Sequence, residues 1–415
     1  MNILFINHYN GPEEYCAKGR TIYFAREWVK LGHDVTIVSA SNSHAFFKYP
    51  QFSGSRFVQH EKGVRYVMLK TPKYEGNGIG RLVNIFTFLL QLWRWQRWLA
   101  GSFKPDVVIA GSAHTLDCYP AVRLARRCRA LFVREVRDLW PLTLTDLGGY
   151  SDWHPLVLFF RSAENYSYRH ANLIVTTLPN SLEYMQEHGL KKDGRWVYIP
   201  QGVDFNTHEE GALPEIHREL LERLNEKGIF ILGYAGSIGL ANCLDTLIET
   251  ANIIQDIPVA FVLIGRGPEK ENLQKKADQL GLNNVYFLPR IPQNCVPGFL
   301  YKVSAAFISW KKRPLYRYGI SPNKLMDYMS AGKPIIHAVQ ASNDMVAESE
   351  CGISVPPEDP SAIAGAIREM MSMTPRALVE MGNRGREYVI HYHDNVKLAH
   401  QFLTAIEEKR NSLRR

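Results

Sequence analysis

The first strand-like run of this sequence, NILFINHY, is followed by no GxGxxG, and GxxxxGK[ST] occurs nowhere. Those absences remove the glycine-rich turns on which dinucleotides and nucleoside triphosphates are commonly held. The six cysteines, Cys16, Cys118, Cys128, Cys243, Cys295 and Cys351, lie far apart with no CxxC pair. Neither a zinc site nor a disulfide framework is indicated, and they read as reduced thiols. The histidines are scattered without ligand spacing, so no metal site is expected. At the amino terminus, MNILFINHYN shows no basic stretch ahead of an apolar run and no cleavage signal, which points to the cytoplasm. No helix-turn-helix, zinc-finger or RNP pattern occurs, and nucleic acid is set aside. Long apolar runs are lacking too. In LVNIFTFLLQLWRWQRWL, which begins at Leu82 and ends at Leu99, only twelve residues separate Arg81 from Arg94, whereas a bilayer span needs about 20.

What that run does contain is a spacing. Asn84, Thr87, Gln91 and Arg94 recur at steps of three, four and three, which places them on one helical face. The rest of the helix is Leu, Ile, Phe and Trp, to be buried against the protein or dipped into a lipid interface. Trp93, Trp95 and Trp98 beside Arg94 and Arg97 suit the second setting, and a peripheral contact with the inner face of the cytoplasmic membrane is an expectation to be tested. The net charge of +8 is unevenly placed, with Arg123, Arg126, Arg127, Arg129, Arg134 and Arg137 crowded into one segment. Such a face is either merely solvated or serves anionic lipid or a phosphorylated substrate.

Along the 415 residues, which exceed one ordinary core, short apolar runs alternate with longer helical patterns. NILFINHY, DVTIVSA, DVVIAGS, ALFVREV, LIVTTL and VYIP form a first set, and FILGYAG, VAFVLIG, VYFLP, AAFISW, PIIHAV and ISVP a second. Strands alternating with helices argue for parallel sheets covered on both faces. The chain is therefore α/β, with two Rossmann-like doubly wound domains facing a cleft. The expected bounds are 1–202 for an acceptor-binding domain, 203–228 for a linker and 229–390 for a nucleotide-sugar domain. A last helix in 391–415 is expected to return to the first domain.

The most specific stretch is YRYGISPNKLMDYMSAGKPIIHA, residues 316–338. Ser321 then Pro322 reads as an N-cap followed by the first helical residue, with Gly332 and Pro334 marking the end. Lys324 then falls in the first turn, where the macrodipole disfavours a cation, a choice that makes sense if an anion sits there. Asp327, one turn on, can accept hydrogen bonds from a sugar diol with both oxygens. Phosphate followed by ribose describes a nucleotide.

These blocks resemble the retaining GT-B glycosyltransferases of family 4, and among them the bacterial O-antigen and surface-polysaccharide fucosamine transferases. The resemblance rests on NHYNGPEEYCAKGRTIYFAREWVKLGHDVTIVSAS, REVRDLWP, YAGSIGLANCLDTLIETA and GISPNKLMDYMSAGKP. It implies a donor nucleotide on the second domain, with Ser321, Pro322, Asn323 and Lys324 toward the diphosphate and Asp327 on the ribose. It also puts Gly236, Ser237 and Ile238 beside the phosphates, with Arg266 as a further cation, and Arg290 and Ile291 at the border of the base. In the first domain it implies that Gly19 and Arg20 close over the diphosphate, while His114, Arg137 and Asp138 line the acceptor. Many members carry an Arg and a Lys after the glycine that opens the second domain and two glutamates eight residues apart. Here Ser237 and Asn242 stand near the former, and Gly319 and Asp327 replace the latter.

Taken together, the expected activity is transfer of a sugar, of N-acetylated hexosamine or deoxyhexosamine type, from a nucleotide diphosphate, UDP by preference, to a polyprenyl-diphosphate-linked saccharide or other glycan acceptor. It proceeds with retention, without cofactor, and without the DxD on which a divalent metal would hold a diphosphate. Lys324, the helix N-terminus and Arg20 are expected to stabilise the leaving group, and the acceptor proton is taken by His114, by Asp138 or by the departing phosphate itself. A nucleotide-sugar epimerase or hydrolase on the same fold, and a non-catalytic anion-binding scaffold, are the alternatives.

Overall fold

The computed structural model describes residues 1–76, 78–205 and 211–413. The chain divides into two compact units, Met1–Pro200 joined by Asn395–Arg415, and Gln201–Asp394.

Unit 1 is built on eight strands: β1 (Asn2–Ile6), β2 (Asp34–Ala40), β3 (Arg56–Glu61), β4 (Val64–Leu69), β5 (Val107–Ala110), β6 (Leu131–Val136), β7 (Leu173–Thr176) and β8 (Trp196–Tyr198). They lie in the order β3-β4-β2-β1-β5-β6-β7-β8, parallel except for the antiparallel β3–β4 pair at one edge. The central strands β1, β5, β6 and β7 are buried nearly end to end, as continuous apolar runs must be when helices cover both faces. The helix Asn395–Ser412 belongs to this unit. Trp28 donates from Nε1 to the Ala399 carbonyl at 2.9 Å, and Phe402 meets the rings of Trp28 and Phe24 edge-on at 5.3 and 6.0 Å. All three rings are fully buried, each contributing on the order of 1.5–3 kcal/mol.

Unit 2 carries β9 (Phe230–Ser237), β10 (Val259–Arg266), β11 (Val285–Leu288), β12 (Ala305–Ser309), β13 (Ile335–Ala338) and β14 (Gly352–Val355). They are all parallel, in the order β11-β10-β9-β12-β13-β14. The order reverses between β9 and β12, the point at which doubly wound sheets bind ligands outside their strand ends. The expected linker is corrected here. Within 203–228 the helix Glu215–Glu226 sinks Leu220, Leu221 and Leu224 into the core of this unit, so its apolar stripe makes it part of the domain. At the other boundary, the helix Pro375–Tyr392 also belongs to unit 2.

The apolar run at 82–99 is two helices, Ile79–Arg94 and Gln96–Phe103, broken at Trp95. Among the described residues no helix is long and apolar enough to cross a membrane. The polar stripe is turned away from water only at its start, while its last residue, Arg94, is exposed. Asn84 is fully buried, with Nδ2 donating to the carbonyls of Asn42 and Pro72 at 3.0 and 2.6 Å. Thr87 donates to the Val83 carbonyl, and Gln91 Oε1 accepts from Trp95 Nε1. These polar groups satisfy one another or the backbone, and the face turned outward is apolar.

Candidate active site

The loop that follows β12 is pinned before the helix Asn323–Ser330 begins. Ile320 donates its N–H to Asn343 Oδ1 at 2.7 Å, and Asn343 Nδ2 donates back to the Ile320 carbonyl. Pro322 occupies the N-cap and no side chain caps the helix, so the expected Ser321 cap is corrected. The first-turn N–H groups keep their donor capacity. Lys324 remains in that first turn. Its position is fixed by β9, because Nζ donates to Tyr234 Oη at 2.8 Å and to Asn242 Oδ1 and lies 4.7 Å from the Tyr234 ring centre. The Tyr234 hydroxyl in turn donates to the Ser237 carbonyl. Tyr328, on the same helix, accepts from the Ala235 N–H at 2.9 Å and reaches the Ala235 carbonyl at 3.1 Å. Helix and strand end are thus locked together by two tyrosines.

The lysine stem runs over Gly236, where a Cβ would lie 2.5 Å from Lys324 Cδ, so a side chain at 236 would displace it. One layer further out, a Cβ at Gly267 would lie 2.0 Å from the Ile238 carbonyl oxygen. That close approach holds the end of β10 against the 236–238 loop. Burial pushes the Lys324 ammonium down to about 7 and the Asp327 carboxyl up to about 7, since removal from water disfavours either charge. Asp327 is only half-buried and its carboxylate has no hydrogen-bond or ion-pair partner among the described residues. The arrangement offers an ammonium, free helix N–H groups and an unpaired carboxylate along one helix, at the switch point of a doubly wound sheet. It is suited to a diphosphate followed by a diol.

Two family models cover most of the chain: a glycosyl transferase 4-like domain over residues 20–202 and a glycosyl transferases group 1 domain over residues 229–373. WcaI of Escherichia coli K12, assigned to colanic acid biosynthesis as a glycosyl transferase, is 24% identical over 397 residues, 92% of this chain and 93% of that protein. Among solved structures, sucrose-phosphate synthase from Thermosynechococcus elongatus superposes with a TM-score of 0.74 at 16% identity, covering 98% of both chains. Anabaena HepE, solved with UDP and glucose, gives 0.69 at 15% identity over 98% of this chain and 99% of its own. The chain belongs to the family 4 GT-B glycosyltransferases.

Not every residue expected to serve this glycosyltransferase stands where it can. Arg20 is 1% exposed and its guanidinium is consumed within unit 1. Nε donates to Glu135 Oε1 at 2.9 Å, Nη2 to the Ile199 carbonyl at 2.8 Å and Nη1 to the Pro200 carbonyl. It ties the first helix to β6 and the end of β8, and the expectation that it binds phosphate is corrected. Gly19, by contrast, caps that helix in extended conformation.

His114 is corrected likewise. It is fully buried, with Nε2 3.3 Å from His8 Nδ1, while His8 Nε2 meets Asn84 Oδ1 at 2.7 Å. Because the Asn84 amide nitrogen already donates to two carbonyls, its oxygen accepts and His8 Nε2 carries the proton. His8 Nδ1 then accepts from His114 Nε2. Both rings are neutral, burial holding His8 down at about 3 and His114 well below its usual value. Arg137 is half-buried and Asp138 exposed at the carboxyl end of β6. In unit 2, Ser237, Arg266, Arg290 and Asn323 are exposed and Ser321 is half-buried, whereas Ile291 is a core residue that offers only its backbone.

Sequence reasoning missed the two anchoring tyrosines, because a tyrosine inside an apolar strand or helix reads as core. It also missed a cluster in unit 1 beyond the ends of β1, β2 and β4. There Arg81 donates to the Tyr9 hydroxyl at 3.2 Å, the Tyr9 and His44 rings lie 5.0 Å apart, and His44 Nδ1 meets the Tyr74 hydroxyl at 2.9 Å. These residues come from three separate loops and the first turn of the helix Ile79–Arg94, so no local spacing announces them. Gly319, which stands where the family resemblance leads one to expect a glutamate, has φ of +111°, a conformation that excludes a side chain without strain.

Proposed function

We propose that this glycosyltransferase moves a sugar from a UDP-linked donor to a polyprenyl-diphosphate-linked saccharide during polysaccharide biosynthesis, with retention of configuration. The observation that carries the reading is the pairing, on one helix of unit 2, of the tethered Lys324 ammonium with the unpartnered Asp327 carboxylate. Two of the three ammonium protons are given to Tyr234 and Asn242, which leaves one for a phosphate oxygen. Neighbours solved with UDP support the nucleotide, and the assignment of WcaI to colanic acid biosynthesis supports the pathway class.

In this reading the donor diphosphate lies on the helix N-terminus and Lys324, which stabilise the charge that develops as the glycosidic bond breaks. The acceptor hydroxyl attacks from the same face, and its proton passes to the departing phosphate. An N-acetylated hexosamine or deoxyhexosamine is the proposed sugar class. Thermal shift with a panel of nucleoside diphosphates and nucleotide sugars tests donor binding, because a ligand of the folded state raises stability by mass action. Donor consumption with and without a lipid-linked acceptor then separates transfer from hydrolysis or epimerisation. A chain that binds no nucleotide would be a scaffold.

Two smaller effects follow at the same site. Asp327→Asn is expected to raise the donor KM about tenfold with little change in turnover, since an amide still pairs with one ribose hydroxyl but loses the charge-assisted bonds. An unchanged KM accompanied by lowered melting temperature would make Asp327 structural.

Donor affinity is also expected to peak near pH 7. The Asp327 carboxyl, raised to about 7, becomes neutral on the acid side, and the Lys324 ammonium, lowered to about 7, becomes neutral on the alkaline side. Calorimetric titration of UDP from pH 5.5 to 9 reads this directly. Asp327→Asn should flatten the acid limb only.

A further inference from the structure

The outward face of the helix Ile79–Arg94 contributes nothing to the donor site described above. Ile79, Val83, Phe86, Leu90 and Trp93 follow one another at steps of three or four and are 80%, 50%, 42%, 69% and 39% exposed, a continuous apolar stripe of a kind that soluble surfaces rarely show. Beside it the helix Pro155–His170 exposes Leu158 and Phe159, with the Phe159 ring 6.0 Å from Phe86. Between these helices and the helix Cys118–Cys128 lies a groove of about 480 Å³, walled by Phe86, Leu90, Trp93, Tyr119 and Phe159 and edged by Arg123 and Arg126.

The charged residues that line the groove, Arg123 and Arg126, have one sign. Residues 76–105 and 118–134 contain no Asp or Glu. The one carboxylate of the helix Pro155–His170, Glu164, is buried against Tyr168 and Tyr184. Arg123, Arg126, Arg127 and Arg129 are exposed, with no carboxylate partner among the described residues. The Arg123 guanidinium lies 5.1 Å from the Trp93 ring centre, at the seam between the apolar stripe and the basic one.

We propose that this face docks on an anionic phospholipid bilayer, with the stripe entering the headgroup–acyl boundary, the groove taking one acyl chain and the four arginines meeting headgroup phosphates. A phospholipid carries an apolar tail and a phosphate in one molecule, which is the pairing the groove and its rim present. A second copy fits less well, since a self-complementary contact would set the arginine rows against each other. The residues differ from those expected from sequence. Trp95 and Trp98 are half-buried and hold the Arg56 guanidinium at 3.8 and 4.2 Å, so they are not free to anchor lipid. The docking does not rest on the acceptor being lipid-linked.

Co-sedimentation with vesicles of phosphatidylglycerol and phosphatidylcholine, against pure phosphatidylcholine, tests the proposal. The full chain is expected to bind the anionic vesicles and to lose about tenfold or more in partitioning between 0.05 and 0.5 M NaCl. Phe86→Ser/Leu90→Ser and, separately, Arg123→Glu/Arg126→Glu should each reduce binding about tenfold or more. Val379→Ser, at an exposed apolar position of unit 2, should leave it unchanged. UDP thermal shifts on every variant report the fold and the donor site independently, so failure to bind lipid with intact UDP binding overturns docking alone. The proposal is overturned if the wild type ignores anionic vesicles, if both double variants sediment as before, or if sedimentation velocity shows a dimer that Phe86→Ser/Leu90→Ser dissolves.

Discussion

Lys324→Ala is expected to lower turnover by about 100- to 1,000-fold, the scale of losing one preorganised charge-stabilising donor, while far-UV circular dichroism is unchanged. The ammonium is not a free surface charge awaiting substrate, as its place in the sequence suggests. Tyr234 and Asn242 hold it at the end of β9, so its orientation is settled before donor arrives and little rotamer entropy is lost on binding. Burial also lowers its proton affinity, and a diphosphate beside it restores the charge. Alanine removes both the cation and its packing over Gly236. Lys324→Arg should recover little, because a planar guanidinium cannot reproduce the compact donor to Tyr234 and Asn242 in the same space. Single-turnover kinetics with saturating donor separate the chemical step from binding. Unaltered turnover in folded Lys324→Ala would remove the diphosphate from this helix.

Arg20→Met is expected to cost about 3–5 kcal/mol of stability, as breaking a buried ion pair from one side does. Both side chains of the Arg20–Glu135 pair are completely shielded from water, and Glu135 Oε2 already lacks a hydrogen-bond partner. Without the guanidinium the carboxyl is left uncompensated beside Gly111, and the carbonyls of Ile199 and Pro200 lose their donors. Arg20→Met/Glu135→Leu should recover much of the loss, since replacing both partners by apolar groups is often close to neutral. Urea denaturation monitored by circular dichroism reads the difference. If Arg20→Met instead unfolds like the wild type but turns over donor far more slowly, the guanidinium does act on phosphate in the working enzyme.

The candidate donor site proposed above could be read from one linear segment because the helix supplies the geometry by itself. Lys324 and Asp327 are three residues apart, and that spacing keeps them near one another on any α-helix. Both doubly wound sheets were visible for a similar reason. A strand buried on both faces must be apolar throughout, and DVTIVSA or VAFVLIG states this without reference to its neighbours. The return of Asn395–Ser412 was legible as one more periodic segment after a break, although its partner, the face of Trp28 and Phe24, was not.

What sequence periodicity cannot state is which side of an element meets the rest of the protein. Asn84 heads a polar stripe that reads as wet. Yet it is buried, because His8 and two loop carbonyls from distant parts of the chain converge on it and satisfy its amide, while the apolar residues opposite find nothing to cover them. Arg20 and His114 likewise follow glycine or strand ends where family resemblance expects ligand contacts, and both are consumed by partners 115 and 106 residues away in the chain. The sequence alone therefore determined the two sheets and the placing of Lys324 and Asp327 on one helix, whose spacing is local. Only the tertiary structure decided which charges are spent inside the protein and which face is left apolar, because burial depends on what packs against a side chain.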